Sequence, residues 1–127
     1  VLGRRRNRLI TSFGRNVNPE WVESELLGSG VLRQAWVLGE GRPSCAALLC
    51  PLDDTLPDSE LQVAVQRVNG RLPDYARIGP WLRLDAALTP ASGLLTANGR
   101  PRRDAIARHF AAQINQLYSN DKEQFAS

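Results

Sequence analysis

The sequence predicts an α+β domain: a three-stranded sheet flanked by helices and preceded by a small two-stranded hairpin. Three observations lead there. Short extended segments alternate with helical ones along the chain. The segment from Ser44 to Cys50 is almost continuously apolar, as a central strand covered on both faces requires. Clusters of Gly, Pro and Asn, as at 39–43 and 69–73, separate the elements.

The first element is a hairpin over residues 8–17. Leu9-Ile10-Thr11 is extended, Phe13-Gly14-Arg15-Asn16 is a turn in which Gly14 is free to take positive φ, and Val17 resumes the strand. Asn18-Pro19-Glu20 starts a helix: Asn caps, Pro suits the first helical position, and Glu favours the positive end of the dipole. Val22 and Leu26 share one face, and Gly28 ends the helix. Val31–Leu38 and Ser44–Cys50 form a second hairpin around the turn Gly39-Glu40-Gly41-Arg42-Pro43. A helix opens at Leu56-Pro57-Asp58-Ser59, carries the stripe Leu61, Val65, Val68, Leu72, and ends before Pro73. Pro80–Leu84 supplies the third strand. Residues 89–101 read as a loop with a brief extended piece at Leu94-Leu95. One last helix carries Ile106, Phe110, Ile114 and Leu117, and a polar, frayed tail follows from Ser119.

The 127 residues are 43% hydrophobic and 23% charged, which excludes wholesale disorder. No apolar run is long enough to span a membrane, so no transmembrane segment is expected. The chain begins at Val1 and has no Met, so it reads as a piece cut from a longer protein. The net charge of +3 is too small to identify a nucleic-acid partner, and none is expected. Every basic residue except Lys122 is Arg. Arg4, Arg5, Arg6, Arg8 and Arg15 form one cluster; Arg100, Arg102, Arg103 and Arg108 form another. Each guanidinium can grip a phosphate or carboxylate with two parallel bonds, or simply be a solvated charge. A basic nucleic-acid-binding module is the alternative these clusters keep open; no exposed aromatic stacking pattern supports it, and the three Trp read as core or boundary residues. Cys45 and Cys50, on one strand, would stand roughly 16 Å apart, beyond the reach of a disulfide. That fits a reducing, cytoplasmic setting. With them, the single His, His109, makes no metal cluster.

Two segments can carry chemistry. One runs from Gly3-Arg4-Arg5-Arg6 through Thr11-Ser12-Phe13-Gly14-Arg15-Asn16, combining guanidinium groups, hydroxyls and a glycine turn whose side chains and backbone N–H groups could meet an anion. The other, Leu95–Arg103, places a cation on a loop just before a helix. Each is equally compatible with an ordinary turn or helix cap, and the second lacks the ending of a phosphate-binding loop.

Residues 3–23 and 95–103 together resemble the C-terminal lid domain of the acyl-adenylate-forming enzymes: acyl-CoA synthetases, luciferases and peptide-synthetase adenylation domains. The first segment is similar to the hinge motif, which in acyl-CoA synthetases often reads Gly-Arg-x-Lys-x-x-Ile-x-x-Ser-x-Gly-x-Asn-Val-x-Pro. The second is similar to the motif that carries the catalytic Lys. The resemblance covers residues 1–118, leaving 119–127 as the tail, and its wording is nearest the fatty-acyl branch. It implies a lid that closes over a large N-terminal domain, its partner, while a carboxylic, fatty acid is joined to AMP from ATP. The lid then rotates for thioester formation with coenzyme A. Mg accompanies ATP, held mainly by phosphates and the other domain; no metal site is implied on this chain. By position the resemblance implies a nucleotide-contacting Arg4, a hinge at Arg6, and a coenzyme A tunnel bordered by Phe13, Gly14, Arg15 and Asn16. Arg100 stands at the catalytic-Lys position. That departure implies slow adenylation with thiol transfer spared, or a lid that only serves as an interaction surface. The domain alone is expected to be inactive.

Overall fold

The computed structural model describes residues 9–12 and 14–126, with side chains described as far as Ser119. The order is β1 (Leu9–Ile10), β2 (Asn16–Val17), α1 (Pro19–Leu27), β3 (Leu32–Leu38), β4 (Cys45–Pro51), α2 (Asp58–Asn69), β5 (Ile78–Arg83), α3 (Arg103–His109) and α4 (Ala111–Ala126). β1 and β2 pair as an antiparallel hairpin, and the main sheet has the order β3-β4-β5. β3 and β4 are antiparallel, while β4 and β5 are parallel across the α2 crossover. This is the expected α+β class.

The central strand divides the core. All seven residues of β4 are buried. Because side chains alternate across a strand, Cys45, Ala47 and Leu49 face one side and Leu48 and Cys50 the other. On the first side they pack with Leu9 and Val17 of the hairpin, Val22 and Leu26 of α1, and Leu61, Val65 and Val68 of α2. On the second they pack with Leu84, Leu88, Leu94 and Leu95 and with Ile106 and Ile114 of α3 and α4. The sequence's two chemistry-bearing segments therefore lie on opposite faces of one sheet.

Local chemistry explains most boundaries. The Asn18 carboxamide accepts from the Glu20 and Trp21 N–H groups, capping α1. Gly70 closes α2. β5 begins two residues earlier than expected because the Asn69 side chain acts as a strand partner: Ile78 N–H donates to Asn69 Oδ1 at 2.8 Å, and Asn69 Nδ2 donates to the Ile78 carbonyl at 2.9 Å. Pro80 is tolerated because β5 is an edge strand.

The end of the chain differs from expectation. The single last helix is broken at Phe110 (φ −103°, ψ 17°) into α3 and α4, although the spacing of Ile106, Phe110 and Ile114 still serves one core. α4 then continues as helix to Ala126 rather than fraying at Ser119. Residues 119–126 contain no Gly or Pro, so nothing stops propagation from the packed turns before them. Trp36 and Trp81 sit at the core boundary, but Trp21 stands 40% exposed on α1, contrary to the core or boundary place expected for it.

Candidate functional site

The first segment is built around the β1–β2 turn. Thr11 N–H donates to the Arg15 carbonyl at 3.0 Å, Gly14 N–H to the Thr11 carbonyl at 2.9 Å, and Arg15 N–H to Thr11 Oγ1 at 3.2 Å. Gly14 has φ +77°, which an L side chain adopts only with strain. The hairpin is seated on the β3–β4 turn, where Ser12 N–H donates to the Arg42 carbonyl and Gly41 N–H to the Ile10 carbonyl, both at 2.8 Å. The N–H groups of Thr11, Ser12, Gly14 and Arg15 are thus all committed within the fold. These four N–H groups are therefore not open to an anion, which would meet side chains such as Arg15 here.

Beside this turn lies a cleft of about 470 Å³ lined by Thr11, Arg15, Pro43, Ser44, Asp74 and Tyr75. Arg15 is exposed and its guanidinium lies 5.7 Å from the Tyr75 ring centroid. Asn16 is exposed in β2, paired with Ile10. Open space surrounds the position a Gly14 Cβ would take. Arg4, Arg6 and Phe13 lie outside the described residues.

The second segment repeats the first turn on the opposite face. Thr96 N–H donates to the Arg100 carbonyl at 2.8 Å, Gly99 N–H to the Thr96 carbonyl at 2.9 Å, and Arg100 N–H to Thr96 Oγ1 at 3.1 Å. Gly99 has φ +82°. Both turns read Thr-x-x-Gly-Arg, and each sets an Arg directly after a left-handed Gly. The expected extended piece is a single bridge, Leu95 to Pro101, at the neck of this turn. Arg100 is exposed at the end of the turn and forms no ion pair among the described residues.

The neighbouring cations have other work. Arg102 donates to the Gly93 carbonyl at 3.1 Å through its side chain and to the Leu94 carbonyl at 2.9 Å through its backbone. Arg103 grips Glu23 with two bonds of 2.5 and 3.1 Å and donates to the Val37 carbonyl at 2.9 Å. Glu23 accepts the Val37 N–H at 2.8 Å. Only 7% of Glu23 is exposed. The sequence reading missed this pair. Its signal was there: Pro19, Val22, Glu23 and Leu26 follow one helical stripe, so Glu23 is a charge on the buried face of α1 and requires a partner. The second Arg cluster is therefore not one cationic patch.

Cys45 and Cys50 are free and buried, and burial pushes the Cys45 thiol up to about 11 and raises that of Cys50. His109 is exposed at the end of α3, edge-on to Phe110. Among the described residues no group of three or more His, Cys, Asp or Glu could hold a metal ion. No helix of the described residues is long and apolar enough to cross a membrane.

Set beside known proteins, this arrangement has a family. Residues 6–122 match the AMP-binding enzyme C-terminal domain, and the chain belongs to that family. It is the C-terminal domain of an AMP-binding enzyme, and it is similar to fatty-acid ligases. A chloroplastic long-chain-fatty-acid–[acyl-carrier-protein] ligase of Arabidopsis thaliana is 28% identical over 126 residues, covering 92% of this chain and 17% of that protein. A long-chain-fatty-acid–CoA ligase of Mycobacterium tuberculosis is 25% identical over 144 residues, covering 95% of this chain and 24% of that protein. The chain thus spans about a fifth of these relatives' lengths. Among solved structures, the adenylation domain of a carboxylate reductase from Mycobacterium chelonae is 25% identical with a TM-score of 0.80, covering 91% of this chain and 20% of that one. The corresponding domain from Segniliparus rugosus, in complex with AMP and a co-purified carboxylic acid, is 23% identical with a TM-score of 0.79 over 92% of this chain and 20% of that one, a likeness of fold.

Proposed function

We propose that this domain is the mobile lid of an AMP-forming acyl-CoA synthetase acting on a fatty acid. The observation that carries the reading is the pair of Thr-x-x-Gly-Arg turns on opposite faces of one sheet. A two-step reaction needs one face over the large domain while the acyl-adenylate forms and the other while the thiol attacks. In the first pose Arg100 supplies positive charge beside the acid and the α-phosphate as charge moves between them. In the second, the Gly14 turn borders the thiol's path, flanked by Phe13, Arg15 and Asn16. Arg4 contacts the nucleotide and Arg6 is the hinge. Mg2+ is held by the ATP phosphates and the large domain. The domain alone is inactive, since the acid pocket lies elsewhere. Cys45 and Cys50, buried and unpaired, are compatible with a cytoplasmic setting, which we keep as part of this reading.

A second reading rests on one residue. Arg100 is wider than Lys and its charge is delocalised, so it meets the reacting groups with a different geometry. The lid would then serve mainly thiol transfer, or only as an interaction surface. The test is acid-dependent pyrophosphate release by the full-length protein carrying this domain, across a panel of carboxylic acids, with and without coenzyme A. Release with fatty acids, followed by thioester formation, is the expected result. Conversion of a supplied acyl-adenylate to thioester without any pyrophosphate release would favour the second reading. Loss of both would sink the ligase assignment.

A further inference from the structure

Among the described residues one ion pair joins the helices that follow the two turns, and it runs around the edge of the sheet. β3 is an edge strand, so the outward N–H and C=O of Val37 lack a strand partner. Glu23 of α1, on the hairpin side, accepts that N–H; Arg103 of α3, on the other side, donates to that C=O. The two side chains then close on each other with two charge-assisted bonds. α1 follows the Gly14 hairpin after a single residue, Asn18. Arg103 follows Arg100 by three residues and is the first residue of α3. Among the described residues this is the ion pair that fastens the helix following one turn to the helix following the other.

We infer that Arg103 and Glu23 are positioning residues: their buried ion pair sets the Arg100 turn at a fixed place relative to the hinge-proximal helix, so that closing the domain delivers Arg100 to the reacting groups. The inference rests on the adenylation reading above. Its weight comes from the tolerance of such chemistry, in which a displacement of about 1 Å can cost about a hundredfold in rate. The Arg100 turn has its own internal bonds, but they fix its shape and not its place. Its place depends on the neck at Leu95–Pro101, on the Arg102 bonds to Gly93 and Leu94, and on α3, whose first residue is held by Glu23.

The test compares Arg103→Lys and Glu23→Gln/Arg103→Met with the unaltered full-length protein. Removing one partner alone leaves a buried charge unpaired and destabilises the fold; replacing both leaves none, so the double variant should melt within about 5 °C of the parent. Two rates are read in each: pyrophosphate release with fatty acid and ATP, and thioester formation from supplied acyl-adenylate and coenzyme A. We expect pyrophosphate release to fall at least tenfold relative to thioester formation in the double variant, with Arg103→Lys between it and the parent. If the folded double variant loses both rates together, or keeps both, the pair is only structural and the inference is wrong. Hydrogen exchange at the Thr96, Gly99 and Arg102 amides separates this from failure of the ligase reading. An inactive parent whose double variant exchanges these amides at least tenfold faster keeps the anchoring role and sinks only the chemistry. Unchanged exchange overturns the anchoring itself.

Discussion

Cys45 and Cys50 show how much a single position decides. They stand five residues apart on β4, on opposite sides of the sheet, and neither is a partner for the other. With its thiol raised to about 11, Cys45 is almost wholly protonated at neutral pH, and only the thiolate reacts. Iodoacetamide should leave Cys45 unmodified in the native domain at pH 8 and label it fully in denaturant, read by intact mass. The same shift has a consequence for stability. Below pH 9 the thiol is protonated whether folded or unfolded. Between about 9 and 11 the unfolded chain ionises first, so stability falls by up to roughly 1.4 kcal/mol per pH unit as pH rises through that window. Denaturant titrations at pH 8 and pH 10.5 should differ in that direction, and Cys45→Ala should reduce the difference. The disulfide geometry that excluded a Cys45–Cys50 bond was legible from strand spacing alone. The role of Glu23 was not, because a one-dimensional stripe shows that a charge is buried without showing that Arg103, eighty positions away, answers it.

Elements were legible where local chemistry defines them. The Asn18-Pro19 start of α1, the Gly70 end of α2 and the doubly buried β4 all follow from short-range rules. The misses came from longer reach. β5 starts at Ile78 because a side chain on α2 holds it, and α3 breaks from α4 at Phe110 although the apolar spacing runs on unbroken. The repeated Thr-x-x-Gly-Arg turn was written plainly in the sequence, yet five residues are too few to read as a repeat until matching bonds are seen. β4 supplies the prediction at this scale. Leu48 and Leu49 are both fully buried neighbours, but each belongs to a different half of the core. Leu48→Ala and Leu49→Ala should each cost about 2–5 kcal/mol in chemical denaturation. Leu48→Ala should loosen Leu94–Ile106 and Leu49→Ala the hairpin and α1, as read by hydrogen exchange. A single uniform response to both would mean that the sheet does not partition the core.

At the scale of the whole molecule, the partition gives the proposed cycle its logic. A sheet with chemistry on both faces can serve two steps by turning over, and the two faces can then be altered separately. Arg100 and Gly14 are the positions where that separation is sharpest, since each lies in an exposed turn whose core contacts belong to one face only. Arg100→Lys keeps the charge, supplies a compact ammonium on a thin stem, and leaves the turn's backbone bonds intact, because none of them uses the Arg100 side chain. In the full-length protein it should raise pyrophosphate release about tenfold or more, with little change in conversion of supplied acyl-adenylate to thioester. Gly14→Val should do the reverse. It adds a side chain at φ +77°, costing about 1–2 kcal/mol of stability, and under the proposed reading it narrows the thiol's path, so thioester formation should fall far more than pyrophosphate release. Measured together, the two variants make a crossed pattern that a mere loss of folding cannot produce, because unfolding lowers both rates in proportion. If Arg100→Lys left adenylation unchanged, Arg100 would already be adequate to its place, and the rate-setting charge would have to come from the large domain.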